Sequence, residues 1–258
     1  MYQFETLDVQ LSNYIATVYL SNPPVNAVSA KMPGDLALAM DRFSEDDNVR
    51  VVVLTGRGKV FCAGADLKGR DEIGGSLGGL RQESRLRREM YHSIRECSKP
   101  VIAAINGAAL GSGLAVVASC DILIAAESAK LGLPEIDVGL IGGVRHAQRL
   151  FAHSRLRRMM LTGMRVDGPE LYRLGVVEAC LPDDELLPAA LKLAGEIASK
   201  CPQSIRLSIQ TANAIEDMSL RDGYRYEQDM AAAVARTDDA LEARMAFLEK
   251  RPPVFTGR

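Results

Sequence analysis

Apolar and polar residues alternate with a period of two from residue 3 to residue 20, which predicts two half-buried strands joined at Leu11-Ser12-Asn13. Asn22-Pro23-Pro24 then forces a turn. The spacing predicts a helix from about Ala30 to Phe43, with Pro33 acceptable in its first turn and the polar run Ser44-Glu45-Asp46-Asp47-Asn48 ending it. Two continuous apolar runs, Val51-Val52-Val53-Leu54 and Val101-Ile102-Ala103-Ala104-Ile105, read as buried strands, and each runs into a glycine-rich turn. Between them, Gly74 to Gly79 is the most flexible segment by composition and is expected to form a mobile loop. A helix from about Gln82 to Ser98 follows, with Leu86, Met90 and Ile94 inward and Arg85 and Arg88 toward solvent. Another strand is expected over Asp121–Ala125. Beyond residue 150 the chain reads as helices near 154–162, 169–174, 184–200, 202–215, 219–236 and 240–250, tied to the α/β part by a short strand from Val176 to Cys180.

Composition narrows this picture without deciding it. At 258 residues the chain buries a sizeable core, as one domain or a domain with an appendage. With 31 basic and 33 acidic residues, neither nucleic acid nor a polyanion is indicated as a partner. The five cysteines, Cys62, Cys97, Cys120, Cys180 and Cys201, lack metal-ligand spacing, and their odd number argues against a disulfide framework. No stretch approaches the roughly eighteen apolar residues of a membrane span, and no leader pattern opens the chain. The expectation is a cytoplasmic protein with no metal and no membrane partner.

The two glycine turns carry the chemistry. They are Phe61-Cys62-Ala63-Gly64-Ala65-Asp66-Leu67-Lys68, and the run from Asn106 and Gly107 through Leu110-Gly111-Ser112-Gly113 to Leu114. A strand-to-turn junction leaves backbone N–H groups free to face a ligand, and two aimed at one point form an oxyanion hole. Such a hole suits a reaction that builds negative charge on a carbonyl oxygen, with thioester enolates as candidates. Phosphate-loop readings fail: Gly56-Arg57-Gly58-Lys59-Val60 lacks the Walker spacing, and no glycine stands three residues beyond Gly111-Ser112-Gly113.

Together with Lys99-Pro100-Val101 to Gly113, and Pro134-Glu135 followed by Gly139 and Gln148-Arg149-Leu150, these turns make the chain resemble the crotonase (enoyl-CoA hydratase/isomerase) family over nearly its whole length. The resemblance implies an α/β fold, a crotonase-like ββα superhelix over residues 1–195, with a helical trimerisation region at 196–258 and a homotrimer or homohexamer. It implies a CoA thioester as substrate, with no separate cofactor. The oxyanion donors would be the N–H groups of Ala65 and Ser112. Ala63, Asp66 and Leu67 would clasp the adenine, with Lys68 and Lys250 toward phosphates. Glu135 falls where hydrating and isomerising members keep a glutamate, and burial beside an acyl pocket raises a carboxyl pKa toward usefulness as acid or base.

Two positions depart from the family pattern. Hydratases carry a second glutamate where this chain has Ala115, so ordinary two-glutamate hydration is in doubt while a one-base double-bond shift through Glu135 stays feasible. At Gly142-Gly143-Val144-Arg145-His146, the Gly143 N–H is expected to face the centre, and His146 is a candidate second acid/base. Asp137 reads as a structural hydrogen-bonding residue. The alternatives left open are thioester hydrolysis or decarboxylation in the same hole, and an acyl-CoA-binding protein with little turnover.

Overall fold

The computed structural model describes residues 2–66 and 77–257, apart from the side chain of Leu77. The alternating N-terminal segment forms β1 (Leu7–Ser12) and β2 (Ile15–Leu20), paired antiparallel with Leu7 opposite Leu20 and Ser12 opposite Ile15. Their two-residue connection is Asn13-Tyr14, both at positive φ (51° and 63°), the pair of left-handed residues that a tight hairpin needs to match strand twist. The turn thus falls slightly later than the sequence suggests. Helix α1 (Met32–Glu45) follows, with Pro33 in its first turn and Leu36, Ala39, Met40 and Phe43 buried.

From here the chain winds through repeated strand pairs. β3 (Val51–Gly56), β4 (Val60–Cys62) and α2 (Leu77–Glu96) form one unit. β5 (Val101–Ile105), β6 (Ala108–Leu110) and α3 (Ser112–Val117) form the next. β7 (Ile122–Ala126) and β8 (Lys130–Gly132) lead into a 3₁₀ turn, Pro134–Val138. The first strand of each unit enters a six-stranded sheet of order β1-β2-β3-β5-β7-β10, and the second enters a four-stranded sheet of order β4-β6-β8-β9. β10 is Ala179–Leu181 and β9 is Arg165–Asp167. Pairing from β2 to β10 is parallel throughout the larger sheet. This is the ββα superhelix that the resemblance implied.

The continuous apolar runs are explained by burial on both faces of the larger sheet. Val52 and Leu54 enter the main core with Phe43, Met40, Phe61, Met90 and Ile94, while their neighbours Val51 and Val53 face the other way. On that second face lies α7 (Leu186–Ala198), whose Ala190, Ala194 and Ala198 recur every four residues and present small side chains to Ile102 and Ala104. The other helices are α4 (Val144–Ala147), α5 (His153–Thr162), α6 (Gly168–Arg173), α8 (Pro202–Ile215), α9 (Leu220–Val234) and α10 (Asp238–Glu249). Among the described residues no helix is long and apolar enough to cross a membrane.

The structure corrects four expectations. Gly78 and Gly79 lie inside α2, whereas 74–76 fall outside the described residues. Two glycines cost about 1 kcal/mol each in a helix, which the buried face of Met90 and Ile94 outweighs. Leu86 is 41% exposed, because α2 has 20 residues against 14 in α1 and its buried positions lie in its C-terminal half. The short strands β4, β6 and β8 sit where sequence shows only turns, since three residues carry too little periodicity to register. The strand expected from Val176 starts at Ala179, where pairing with Ile124 of β7 begins; Val176 and Val177 turn into the main core.

Candidate active site

The two glycine turns meet at one end of the smaller sheet. Gly64 has φ +104°, and a side chain there would place its Cβ 2.9 Å from the Leu110 carbonyl oxygen and 3.9 Å from the Ser112 nitrogen. Only glycine lets the two backbones approach so closely. Ala65 bridges to Val28, and the bonds of that bridge use the Gly64 carbonyl (2.7 Å) and the Asp66 N–H (3.1 Å). The N–H of Ala65 itself therefore points to the other side, toward the cleft. Ser112 begins α3, where helix geometry leaves the first N–H groups without intrahelical acceptors.

A cleft of about 410 Å³ opens beside these turns. Its floor includes Ala63, Ala65, Ser112 and Ala115, and its rim includes Ile141, Gly142 and Gly143. Glu135 enters from the 3₁₀ turn, which Gly139 closes at φ +70° and which the Leu140 N–H ties to the Glu135 carbonyl at 2.9 Å. Its carboxylate packs against bare glycine backbone. A Cβ on Gly111 (φ +52°) would fall 2.5 Å from Glu135 Oε1, and one on Gly142 would fall 3.3 Å from the same atom. Among the described residues, Glu135 Oε2 and Ser29 Oγ are the buried side-chain polar atoms without a hydrogen-bond partner. Burial raises the Glu135 pKa above the ordinary carboxylate value, and a hydrogen bond from its own backbone N–H works the other way. A half-buried carboxylate with one unpartnered oxygen facing a cleft is poised to exchange a proton.

A second wall is built by α2 and α4. Tyr91 lines the cleft together with Ser112, whose hydroxyl is near enough to act on the ionisation of the phenol, and its ring meets His146 at a centroid distance of 4.6 Å and a tilt of 59°. Burial raises the Tyr91 pKa, so the phenol is neutral near pH 7. Burial lowers the His146 pKa, reinforced by His92, Arg149 and Arg145, so its imidazole is neutral as well. Arg87, one helical turn before Tyr91, also lines the cleft and pairs with Glu83. Sequence reasoning missed Tyr91. Its signal is weak: an aromatic residue at the edge of the apolar stripe of α2, four residues after Arg87.

The remaining predicted residues fall as follows. Gly143, at φ +69°, is the N-cap of α4 and lines the cleft, as do His146 and Asp137, while Arg145 faces away from it. Ala63 lines the cleft, its N–H donating to the Val25 carbonyl at 3.0 Å, and Asp66 sits half-buried beside the Val28 bridge. Leu67 and Lys68 lie outside the described residues. Lys250 is an exposed C-cap of α10 at φ +55° and does not line the cleft of its own chain.

With this geometry in view, the relatives agree. Residues 10–258 match the profile of the enoyl-CoA hydratase/isomerase family. A probable mitochondrial enoyl-CoA hydratase of Dictyostelium discoideum is 34% identical over 257 residues, 98% of this chain and 91% of the relative. A carnitinyl-CoA dehydratase of Salmonella enteritidis is 33% identical over 98% of this chain and 99% of the relative. The crystal structure of an enoyl-CoA hydratase from Bacillus anthracis superposes with a TM-score of 0.93 at 33% identity, covering 98% of this chain and all of that one. The architecture is the crotonase fold, with the cleft at the meeting point of its two glycine turns. The chain belongs to the enoyl-CoA hydratase/isomerase family and is an enzyme acting on CoA thioesters.

Proposed function

We propose that the enzyme stabilises a thioester enolate between the N–H groups of Ala65 and Ser112 and moves protons with Glu135, favouring double-bond isomerisation over hydration. The observation that carries this reading is the Glu135 carboxylate, half-buried, with Oε2 unpartnered and a raised pKa, beside an Ala115 that supplies no second carboxylate. Two backbone donors held by turn geometry need no reorganisation when charge reaches the thioester oxygen. A base then removes a proton from Cα, and the same or a neighbouring acid returns one at Cγ. Hydration needs a water held and deprotonated as well, for which two carboxylates are the usual arrangement in the family. The test is product analysis with 3-enoyl-CoA and 2-enoyl-CoA series. Conversion of 3-enoyl-CoA to 2-enoyl-CoA should outpace water addition to 2-enoyl-CoA, and the reverse order overturns the preference.

The CoA half belongs, on this reading, along the turn at 61–68, with Lys68 toward a phosphate. Lys68→Ala should weaken acyl-CoA binding more than binding of a short thioester lacking the nucleotide, and equal weakening refutes it. Assembly follows from the C-terminal helices: Leu220, Phe247 and Leu248 are 90%, 82% and 74% exposed in the single chain, an apolar surface that a trimer or pair of trimers would cover. Sedimentation as a monomer at micromolar concentration refutes it.

A further inference from the structure

Glu135 is one proton carrier in the cleft, and a 1,3-proton shift has two carbon ends to serve. Resting on the enolate reading above, the second wall offers a second carrier. Ser112 and Ala115 stand about one turn apart in α3, both lining the cleft, and Ala115 leaves the space beyond its methyl group without a titratable side chain. Tyr91 lines that cleft from α2. It shares that lining with Ser112, the residue whose N–H is a candidate oxyanion donor, and with Glu135. Its ring is braced by His146 at 4.6 Å. A phenol whose ring is packed in place beside the oxyanion hole is pre-organised to give up a proton with little rotamer entropy lost in the reaction.

We propose that Tyr91 is a catalytic residue, its hydroxyl delivering a proton to one end of the three-carbon unit while Glu135 removes one from the other. In a 3-enoyl thioester, the Glu135 carboxylate takes a hydrogen from Cα, and the C–H electron pair becomes the dienolate with its charge on the thioester oxygen. The dienolate returns that charge as the pair between C3 and C4 forms a new C4–H bond with the phenol proton, leaving the double bond between C2 and C3. The phenolate recovers a proton from solvent through the Ser112 hydroxyl, and Glu135 releases its own. Protons and electrons balance with no other reactant. A phenol kept protonated by burial and by the nearby Glu135 charge fits a donor to carbon, and a neutral His146 leaves it its proton.

The test compares two reactions. Exchange of the α-hydrogens of hexanoyl-CoA with deuterated water needs Glu135 alone, whereas isomerisation of 3-hexenoyl-CoA needs both groups. Tyr91→Phe keeps the ring against His146 and removes the hydroxyl. Isomerisation should fall by roughly 10²-fold while exchange stays within about threefold. With α-deuterated 3-hexenoyl-CoA in ordinary water, the share of label recovered at C4 should rise, because Glu135 must then serve both ends. Ser112→Gly retains the backbone N–H and removes the hydroxyl that would relay the proton back to the phenolate, and should lower isomerisation by roughly tenfold. Isomerisation preserved in the folded Tyr91→Phe protein, or exchange lost in parallel with it, overturns the role of Tyr91. Absence of exchange in the unsubstituted protein overturns the enolate reading itself.

Discussion

The two walls of the cleft are made in different ways. One is built of backbone: the 3₁₀ turn Pro134–Val138, Gly142 and, from a turn distant in sequence, Gly111 hold the Glu135 carboxylate. The other is built of side chains, with Tyr91 of α2, Ser112 of α3 and His146 of α4 sharing the cleft and the rings of Tyr91 and His146 in contact. The first wall has no slack, because the glycines leave no room for a Cβ. The second tolerates substitution, because it is made of side chains whose neighbours can shift. The carboxylate is thus confined by backbone, and the neutral phenol is placed by side-chain packing.

Glu135→Gln breaks the first wall's chemistry while keeping its size, and should lower turnover by roughly 10²–10⁴-fold with acyl-CoA affinity nearly unchanged. Steady-state kinetics beside ligand titration check this, and survival of turnover removes Glu135 as the base. Gly111→Ala attacks the same wall sterically, with a methyl group 2.5 Å from Oε1 at a residue of positive φ. It should cost roughly 10–10²-fold in turnover and about 1–3 kcal/mol of stability, read by thermal denaturation. Its counterpart on the more tolerant side, Ala115→Glu, should raise water addition to a 2-enoyl-CoA by roughly tenfold or more in a folded protein, because it adds a second carboxylate facing the cleft. An unchanged rate would show that the pocket is not limited by the missing carboxylate.

The pH profile sharpens the comparison further. A Glu135 base would act only when charged, and burial raises its pKa above 4.5, so on the proposed reading activity should fall with decreasing pH through an inflection above that value. Glu135→Gln should show no such inflection in its residual rate. The smallest effect lies away from both walls. Asp121, exposed just before β7, accepts the Val101 N–H at 2.7 Å and has a pKa raised to about 6 from 3.8, desolvation by its neighbours outweighing that bond and the nearby Arg149. The folded state therefore holds a proton that the unfolded state releases, and the Asp121 contribution to stability declines as pH rises from about 3.8 to about 6. Asp121→Asn keeps an acceptor for Val101 and should stabilise the protein at pH 8 by about 1 kcal/mol or less, because solvent screens an exposed site, the gain vanishing below pH 4. Denaturation curves at the two pH values measure it.

Sequence alone determined the elements whose signal is local. The doubled apolar runs of β3 and β5, the helix starting with Pro202, and the glycines at 64 and 111 are each dictated within a few residues by period, φ or turn chemistry. Glu135 was legible through the family resemblance around Pro134-Glu135 and not from its position alone, and the Gly111 that packs against it comes from a turn distant in sequence. Tertiary structure decided what depends on partners far away in sequence. The three-residue strands β4, β6 and β8 exist because neighbouring strands satisfy their backbone groups. Gly78 and Gly79 are helical because a buried face further along α2 holds the helix, and Leu86 is exposed because α2 outruns α1. Tyr91 joins the cleft because α2 packs beside α3 and α4 there, and no spacing within α2 encodes which side chains it will meet. Local conformation is set by covalent geometry and short-range burial; which side chains share a cleft is set by packing among segments brought together only when the whole core closes.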